Sequence, residues 1–437
     1  LVRRITCGAL LMGDPCQAMY EGAMRRIGDM SCQTLMQELS DCGFRNMEMR
    51  GNHRQTGDLS EYLEDIRFAL LSGDETAEQR KLNDFRNWVS DSWQRINIQS
   101  LSQTLGDGDL VLCMNNGEAA MVTQELYDMN PVLLHSMTQP PRHASLAAWI
   151  AKCLQGNDGK LLSYEDFMTN AGNFGVEHAG DRWAILSSLD GHGDGDWLHI
   201  PELLDALRRP ESLPGDCLNL DKKGTLVSTV QRARGTQAER VFWLDGSMMY
   251  SNMEASQTFG DTMRAAYVAS SRARREIRFV DGMWPSLRMV AGDRWISVGK
   301  SKGKRSEFVK SVAMQPGDVD PASFAGNTVG LDAQAALSQM EKGMTVDLYP
   351  DAGMNAFEIY FDGLPLGYTS QAFTKSLFVG FAEVNGNESW PSRIPDVYVT
   401  DIISVVGATG EDLDADIAAS GCWLALELGG FPTLEWY

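Results

Sequence analysis

Apolar positions recur along the chain with two periods. In LSEYLEDIRFALL, Leu59, Tyr62, Leu63, Ile66 and Leu70 fall three or four residues apart, on one face of a helix. Asp58 and Glu61 ahead of them have the spacing of a capping box. GDLVLCMNNGEAAMVTQEL (108–126) reads as a strand, a polar turn and a helix. GTLVSTV (224–230) and RVFWL (240–244) are β-branched and aromatic runs flanking a Gly-bearing turn. DTMRAAYVASSRARREIRFV (261–280) reads as a helix feeding a strand, and a short apolar run at 8–12 ends at Gly13. Strands that alternate with helices predict an α/β fold, a parallel sheet with helices on both faces.

Residues 141–216 break this rhythm: they are helical and loop-rich and read as an insertion. SVAMQPGDVDPASFAGNTVG (311–330) carries Pro and Gly without periodicity and predicts the end of a linker over 291–330. Beyond it, MTVDLYPD, AFEIYFDGLPLGYTS and VYVTDIISVVG are short strands with Gly turns, which predict a small β-barrel-like domain over 331–437.

Charge alters the picture through its distribution. The net charge of −21 argues against a nucleic-acid partner, yet residues 222–310 carry 17 Lys/Arg against 8 Asp/Glu. Residues 311–437 carry 3 against 18. A basic stretch of this kind draws phosphates, and an acidic one repels them; a solvated charged face explains the basic run equally well. No apolar run approaches the roughly 20 residues of a membrane helix, so no membrane partner is expected. Eight scattered cysteines without a C-x-x-C pair give no zinc signature and fit reduced thiols, hence a cytoplasmic location.

Several local motifs fail on one residue. VGKS (298–301) would end a phosphate loop, but Arg294 stands where that loop needs Gly. DGHGDGDWLHIPE (190–202) imitates a calcium loop through Asp190, His192, Asp194 and Asp196, but its twelfth position is Pro201. NDGKLLSYEDF (157–167) has Glu165 at the twelfth position with Leu154 and Gly156 at ligand positions one and three. Both read as Gly-rich turns, and no metal ligand is expected in the chain.

Four segments remain: GDPCQAMY (13–20), GNHRQ (51–55), STVQRARGTQAERVFWL (228–244) and AAYVASSRARREIRFV (265–280). In this order they resemble the later motifs of UvrD/Rep-like superfamily-one helicases: G-D-x-x-Q-x-I-Y, N-Y-R-S, T-x-H-x-A-K-G-L-E and Y-V-A-x-T-R-A. VLCMNNGEAA (111–120) is similar to a further family segment, I-L-x-R-x-N-A-E-A-A. The resemblance implies RecA-like domains divided as a first-domain remnant (1–41), a second domain (42–140 and 217–290) and the insertion (141–216). It implies ATP with Mg²⁺ as cofactor and single-stranded DNA as partner. It also implies 3′-to-5′ translocation, coupled in the intact parent to strand separation in DNA repair, replication or recombination.

By that resemblance Gln17, Arg54 and Arg272 are catalytic, sensing the γ-phosphate and stabilising transition-state charge, as planar guanidinium groups do. His53, Gly235 and Gln237 would bind nucleotide, His53 in place of a stacking Tyr. Tyr20, Asn116, Thr229 and Gln231 would bind DNA, Tyr20 by stacking, which tolerates any base. The chain departs from the pattern at Gln231, Arg234 and Gln237, where the family has His, Lys and Glu. The family's phosphate loop and its D-E-x-x motif, which supplies the Mg²⁺ ligands, are not in the sequence. The expectation is therefore that GALLMGDPCQAMYE closes a first domain lying mostly upstream, and that this chain alone is inactive. Faint likeness to the small C-terminal barrels of such helicases implies a protein partner for 331–437. The competing expectation is a non-catalytic helicase-like protein that binds DNA or a partner.

Overall fold

The structure, a computed structural model, describes residues 14–17, 32–45, 55, 57–129, 134–137, 145–157, 159–192, 195–219, 224–244, 259–281, 286–290, 294–300, 307–325, 330–385, 390–407 and 420–436. The strand expected at 8–12 lies outside them. The chain divides into two compact units, 1–119 with 224–282, and 120–223 with 283–437.

In chain order the elements begin with α1 (Cys32–Asp41), α2 (Asp58–Ser72), α3 (Glu75–Ser92), β1 (Ile96–Asn97), α4 (Ile98–Thr104), β2 (Leu110–Cys113) and α5 (Asn116–Met129). Next come β3 (Leu134–Met137), β4 (Leu146–Ala147), α6 (Trp149–Leu154), β5 (Leu161–Ser163), α7 (Tyr164–Asn173), α8 (Ala179–Leu189), β6 (Trp197–His199) and α9 (Ile200–Leu207). The chain then returns to the first unit with β7 (Thr225–Thr229), β8 (Ala238–Trp243), α10 (Phe259–Ser270) and β9 (Ala273–Asp281). It ends with β10 (Ser286–Val290), β11 (Arg294–Lys300), β12 (Glu307–Val312), α11 (Gly330–Gln339), β13 (Thr345–Asp351), β14 (Ala356–Phe361), β15 (Leu364–Tyr368), α12 (Gln371–Asn385), β16 (Ile394–Val406) and β17 (Cys422–Gly429).

The first unit is α/β. Its sheet runs β1-β9-β8-β2-β7, with every pair parallel. β2 (LVLC) is an unbroken apolar run buried at all four positions, as burial on both faces requires, whereas β9 has exposed Arg274 and Arg275 near its start and is buried mainly toward its end. On one face α2, α3 and α10 pack together, with Leu59, Ile66, Phe85 and Val89 meeting Ala265, Ala269, Ile277 and Phe279. The buried face of α2 is the one its periodicity predicts, apart from a half-buried Tyr62 stacked on Trp88 at 4.5 Å. The predicted capping box is not formed. Gly57 occupies the N-cap at φ 69°, no side chain caps it, and Asp58 and Glu61 lie in the first turn. There they oppose the positive end of the helix dipole instead.

In the second unit two helix–loop–strand–helix repeats, α6–β5–α7 and α8–β6–α9, join through an antiparallel β5/β6 pair in which Leu162 faces Leu198. These helices are not a free-standing insertion. Trp149, Ile150, Leu162, Phe167, Leu198 and Leu203 share one core with Val346, Leu348, Phe357, Ile394, Trp423 and Leu426. The β4 strand pairs with β16, and Ala151 N donates to Ser404 Oγ at 2.9 Å. Local periodicity reports which residues are buried and not what covers them, so this partnership was invisible in the pattern.

The segment expected as a linker is also structured. β10–β12 form an antiparallel sheet. Pro316 and Pro321 open short 3₁₀ turns between buried Met314, Val319 and Phe324, because a fixed φ suits a first helical position. Within this segment Arg294 and Asp318, both almost fully buried, form a two-pronged ion pair at 2.6 and 2.5 Å. Arg294 also donates to Ala313 O and Ser376 Oγ.

Beyond it, β15-β14-β13-β16-β17 make an antiparallel sheet. Register shifts at Val346/Leu348 and Val399/Asp401 curl it. The result is a curled half-barrel where the sequence predicts a small β-barrel-like domain. Across β16 and β17, Asp401 faces Glu427, with Lys342 Nζ 3.1 Å from Asp401 and Ser145 Oγ donating to Glu427 at 2.7 Å. Burial raises both carboxyls above the ordinary carboxylate range; the Lys342 ammonium opposes the shift at Asp401, and the neighbouring Asp401 charge adds to it at Glu427.

Candidate nucleotide and nucleic-acid site

The expected site residues that the structure describes fall at two edges of the parallel sheet. β8 and β9 start side by side, with Ala238 opposite Ala273 and Ala238 N donating to Arg272 O at 3.0 Å. Arg272 and Gln237, expected on the nucleotide, therefore sit together at this N-terminal edge, with Gly235 two residues before Gln237. Gln237 Oε1 accepts from Arg274 Nε and Nη2 at 3.3 and 3.2 Å. Arg272 is 2% exposed; its guanidinium donates to Val268 O and Ser271 Oγ. Gln55 closes the loop from outside, donating to Ser271 O and Ala273 O at 3.1 and 2.9 Å.

At the other edge β2 and β7 end together, Cys113 opposite Thr229. Asn116 opens α5 here, its Oδ1 enclosed and accepting no hydrogen bond. Thr229, expected on the DNA backbone, is buried, and its hydroxyl accepts Arg232 N at 3.4 Å. In this arrangement it caps a turn.

That turn links the two edges. β7 and β8 lie parallel on either side of β2, joined by only 230–237. Crossovers between parallel strands ordinarily need a dozen or more residues. Here one helical turn suffices, closed by Ala233 N on Thr229 O and pinned by buried Val230 and Ala233. Gln231 lies at its start, half-buried, and Gly235 near its end at φ +86°.

Arg234, on the same turn, donates to Gln17 O at 2.7 Å. This brings in the Gln turn, organised by Asp14. Its carboxylate accepts from Cys16 N at 3.0 Å, and from Gln17 Nε2 and Tyr267 OH, each at 3.1 Å, with Arg67 Nε 4.0 Å away. Burial, with Asp14 adding to it, pushes the Cys16 thiol up to about 12 and raises the Tyr267 hydroxyl as well. Both stay protonated at neutral pH. The cluster thus offers guanidinium and amide donors to an anionic oxygen and no activated nucleophile.

Tyr20, His53 and Arg54 lie outside the described residues. Asp14, Gln55 and Tyr267 stand inside the motif segments but carried no assigned role. The Asp14 turn onto Cys16 is a local signal; its bond to Tyr267 spans 253 residues, and nothing in either segment announces it. Among the described residues, a grouping able to hold a metal ion occurs only in the second unit, at Asp190, His192 and His199. No model of a known protein family matches the chain, and no curated protein matches it.

Proposed function

We propose that the first unit is a RecA-like motor domain of a UvrD/Rep-like helicase, and that the chain is part of an ATP-driven translocase on single-stranded DNA. The observation that carries this reading is the eight-residue crossover 230–237. It ties the edge with Thr229 and Gln231 to the edge with Gly235, Gln237 and Arg272, so a shift at the nucleotide edge moves the DNA edge. Arg272 would leave Val268 O and Ser271 Oγ for a phosphate, since charge-assisted bonds are roughly twice as strong as neutral ones. Gln17, held by Asp14 and Arg234, would report the same phosphate; by the resemblance Arg54 would share that role. Mg²⁺ would be carried by the acidic motif of the wider machine.

The test is binding of a labelled oligothymidylate by the full chain, followed by fluorescence anisotropy. Affinity should fall steeply with salt between about 50 and 200 mM, as phosphate contacts dictate. Gln231→Glu should weaken it strongly, while Glu211→Gln, remote in sequence from the crossover, should not. Binding that ignores both salt and Gln231→Glu overturns the reading. Because no G-x-x-x-x-G-K-[ST] run occurs in these residues, ATP turnover by this chain alone should stay far below about 1 per second.

A second surface favours a protein partner for the half-barrel. A cavity of about 710 Å³ is lined by Asp347, Tyr349, Asp351, Glu358 and Tyr360. Its acids and phenol rings suit a basic segment, through ion pairing and cation–π contact. Binding of an oligo-arginine peptide that Glu358→Gln and Tyr360→Ala leave unchanged would remove this assignment.

A further inference from the structure

The loop between α8 and β6 brings together three metal-ligating side chains that the proposed function does not use. Asp190 ends α8 with its side chain 1% exposed, and its carboxylate organises the loop. Its Oδ1 accepts His192 N and its Oδ2 accepts His199 N, both at 3.1 Å. His199 Nδ1 lies 3.4 Å from Asp190 Oδ2. The His192 and His199 rings stack with centroids 3.8 Å apart and planes 22° from parallel. One ligand atom from each residue lies within 4.8 Å of the other two.

We infer that Asp190, His192 and His199 form a binding site for a zinc-class divalent transition metal. Zinc sits about 2.0–2.2 Å from imidazole nitrogen and carboxylate oxygen. In a tetrahedral site that sets neighbouring ligand atoms roughly 3.4 Å apart, the separation Asp190 and His199 already have. His192 is exposed, and a turn of its ring brings the third ligand in. His199 is fixed at the end of β6 by the β5/β6 pair, where it faces Leu161. The carboxylate is fixed at the end of α8. Two of the three ligands are therefore held by regular structure before any metal arrives. The ion would clip the end of α8 to the start of α9 and leave a fourth position to water.

Ligand chemistry separates this site from the calcium loop its sequence imitates. Calcium takes six to eight oxygens and a bidentate acid at position twelve; here that position is Pro201 and two ligands are imidazoles. Imidazole selects zinc, copper and nickel over calcium.

The test uses the full chain without a histidine tag, stripped by a chelator and titrated with Zn²⁺ against a chromophoric indicator, and in parallel with Co²⁺. One equivalent of Zn²⁺ should bind, and Co²⁺ should develop the visible bands of a low-coordinate site. His192→Gln and His199→Gln should each weaken zinc by more than about 100-fold, beyond the 10–100-fold of a lost outer-shell partner. His178→Gln should leave binding intact. Because His192 is exposed, His192→Gln should melt with the metal-free parent, which separates ligand loss from misfolding. Zinc that stays bound in the His192→Gln/His199→Gln chain belongs to cysteines and overturns the inference. So does calcium bound as tightly as zinc, or failure of the parent to bind zinc.

Discussion

Asp318 and Arg294 illustrate what a single buried charge costs when its partner goes. Removing one member of such a pair strands the other, at about 3–5 kcal/mol. Asp318→Ala should therefore lower the urea midpoint of the second unit sharply, while Arg294→Met/Asp318→Leu together should recover most of it. Equal losses in the single and double variants would mean that packing, not charge, is at stake. Glu427 gives a pH dependence of definite sign. Its folded carboxyl holds a proton more tightly than the unfolded one does, because burial penalises the anion. Stability of the second unit should fall as pH rises from the ordinary carboxylate range through the raised folded value, then level off. Glu427→Gln should make that fall shallower, the remainder belonging to the similarly raised Asp401, and raise the urea midpoint at neutral pH; a Glu427→Gln profile as steep as the parent's contradicts this. At this scale the sequence was least informative. Arg272 and Thr229 stand in readable motifs, yet no motif tells that both side chains are buried and bonded to their own turns.

Among elements, the crossover at 230–237 depends on Gly235. Its φ of +86° is strained for any residue with a Cβ, while the space around it is open. Gly235→Ala should cost about 1–2 kcal/mol from backbone strain alone, and Gly235→Asn less, since Asn tolerates the left-handed region. If thermal melting finds Gly235→Ala neutral, the turn is not held in this conformation. Helix and strand types were legible where apolar periodicity was long, as in α2, α10 and β9. The failures had local causes. Asp58 has the composition of a cap but lies one residue inside the helix. Pro316 and Pro321 punctuate 3₁₀ turns as readily as linkers, and their buried neighbours Met314 and Phe324 carry no period short enough to be read.

For the whole chain, the two hydrophobic cores redraw the expected divisions. Residues 145–218 and the half-barrel bury one another's apolar faces. A chain ending at 330 should thus lose amide-exchange protection throughout 145–218 while keeping it in α2, α3 and β2, whose core is separate. Retained protection in 145–218 would mean those helices have a sufficient core of their own. Alternation of strands and helices foretold the parallel sheet; it was silent on which distant segments complete each core, because contacts between residues over a hundred positions apart leave no local trace. The same interruption imposes an order of events on synthesis. β2 is an interior strand of its sheet, and both flanking strands, β7 and β8, emerge only after the second unit's first segment has been made. About 110 residues separate Cys113 from Thr225, so at ~5–20 residues per second the ribosome leaves β2 roughly 6–22 s without either neighbour. A wholly apolar strand with two bare edges is then the aggregation hazard of the nascent chain, and a holding chaperone that meets this protein during translation should find it at LVLC.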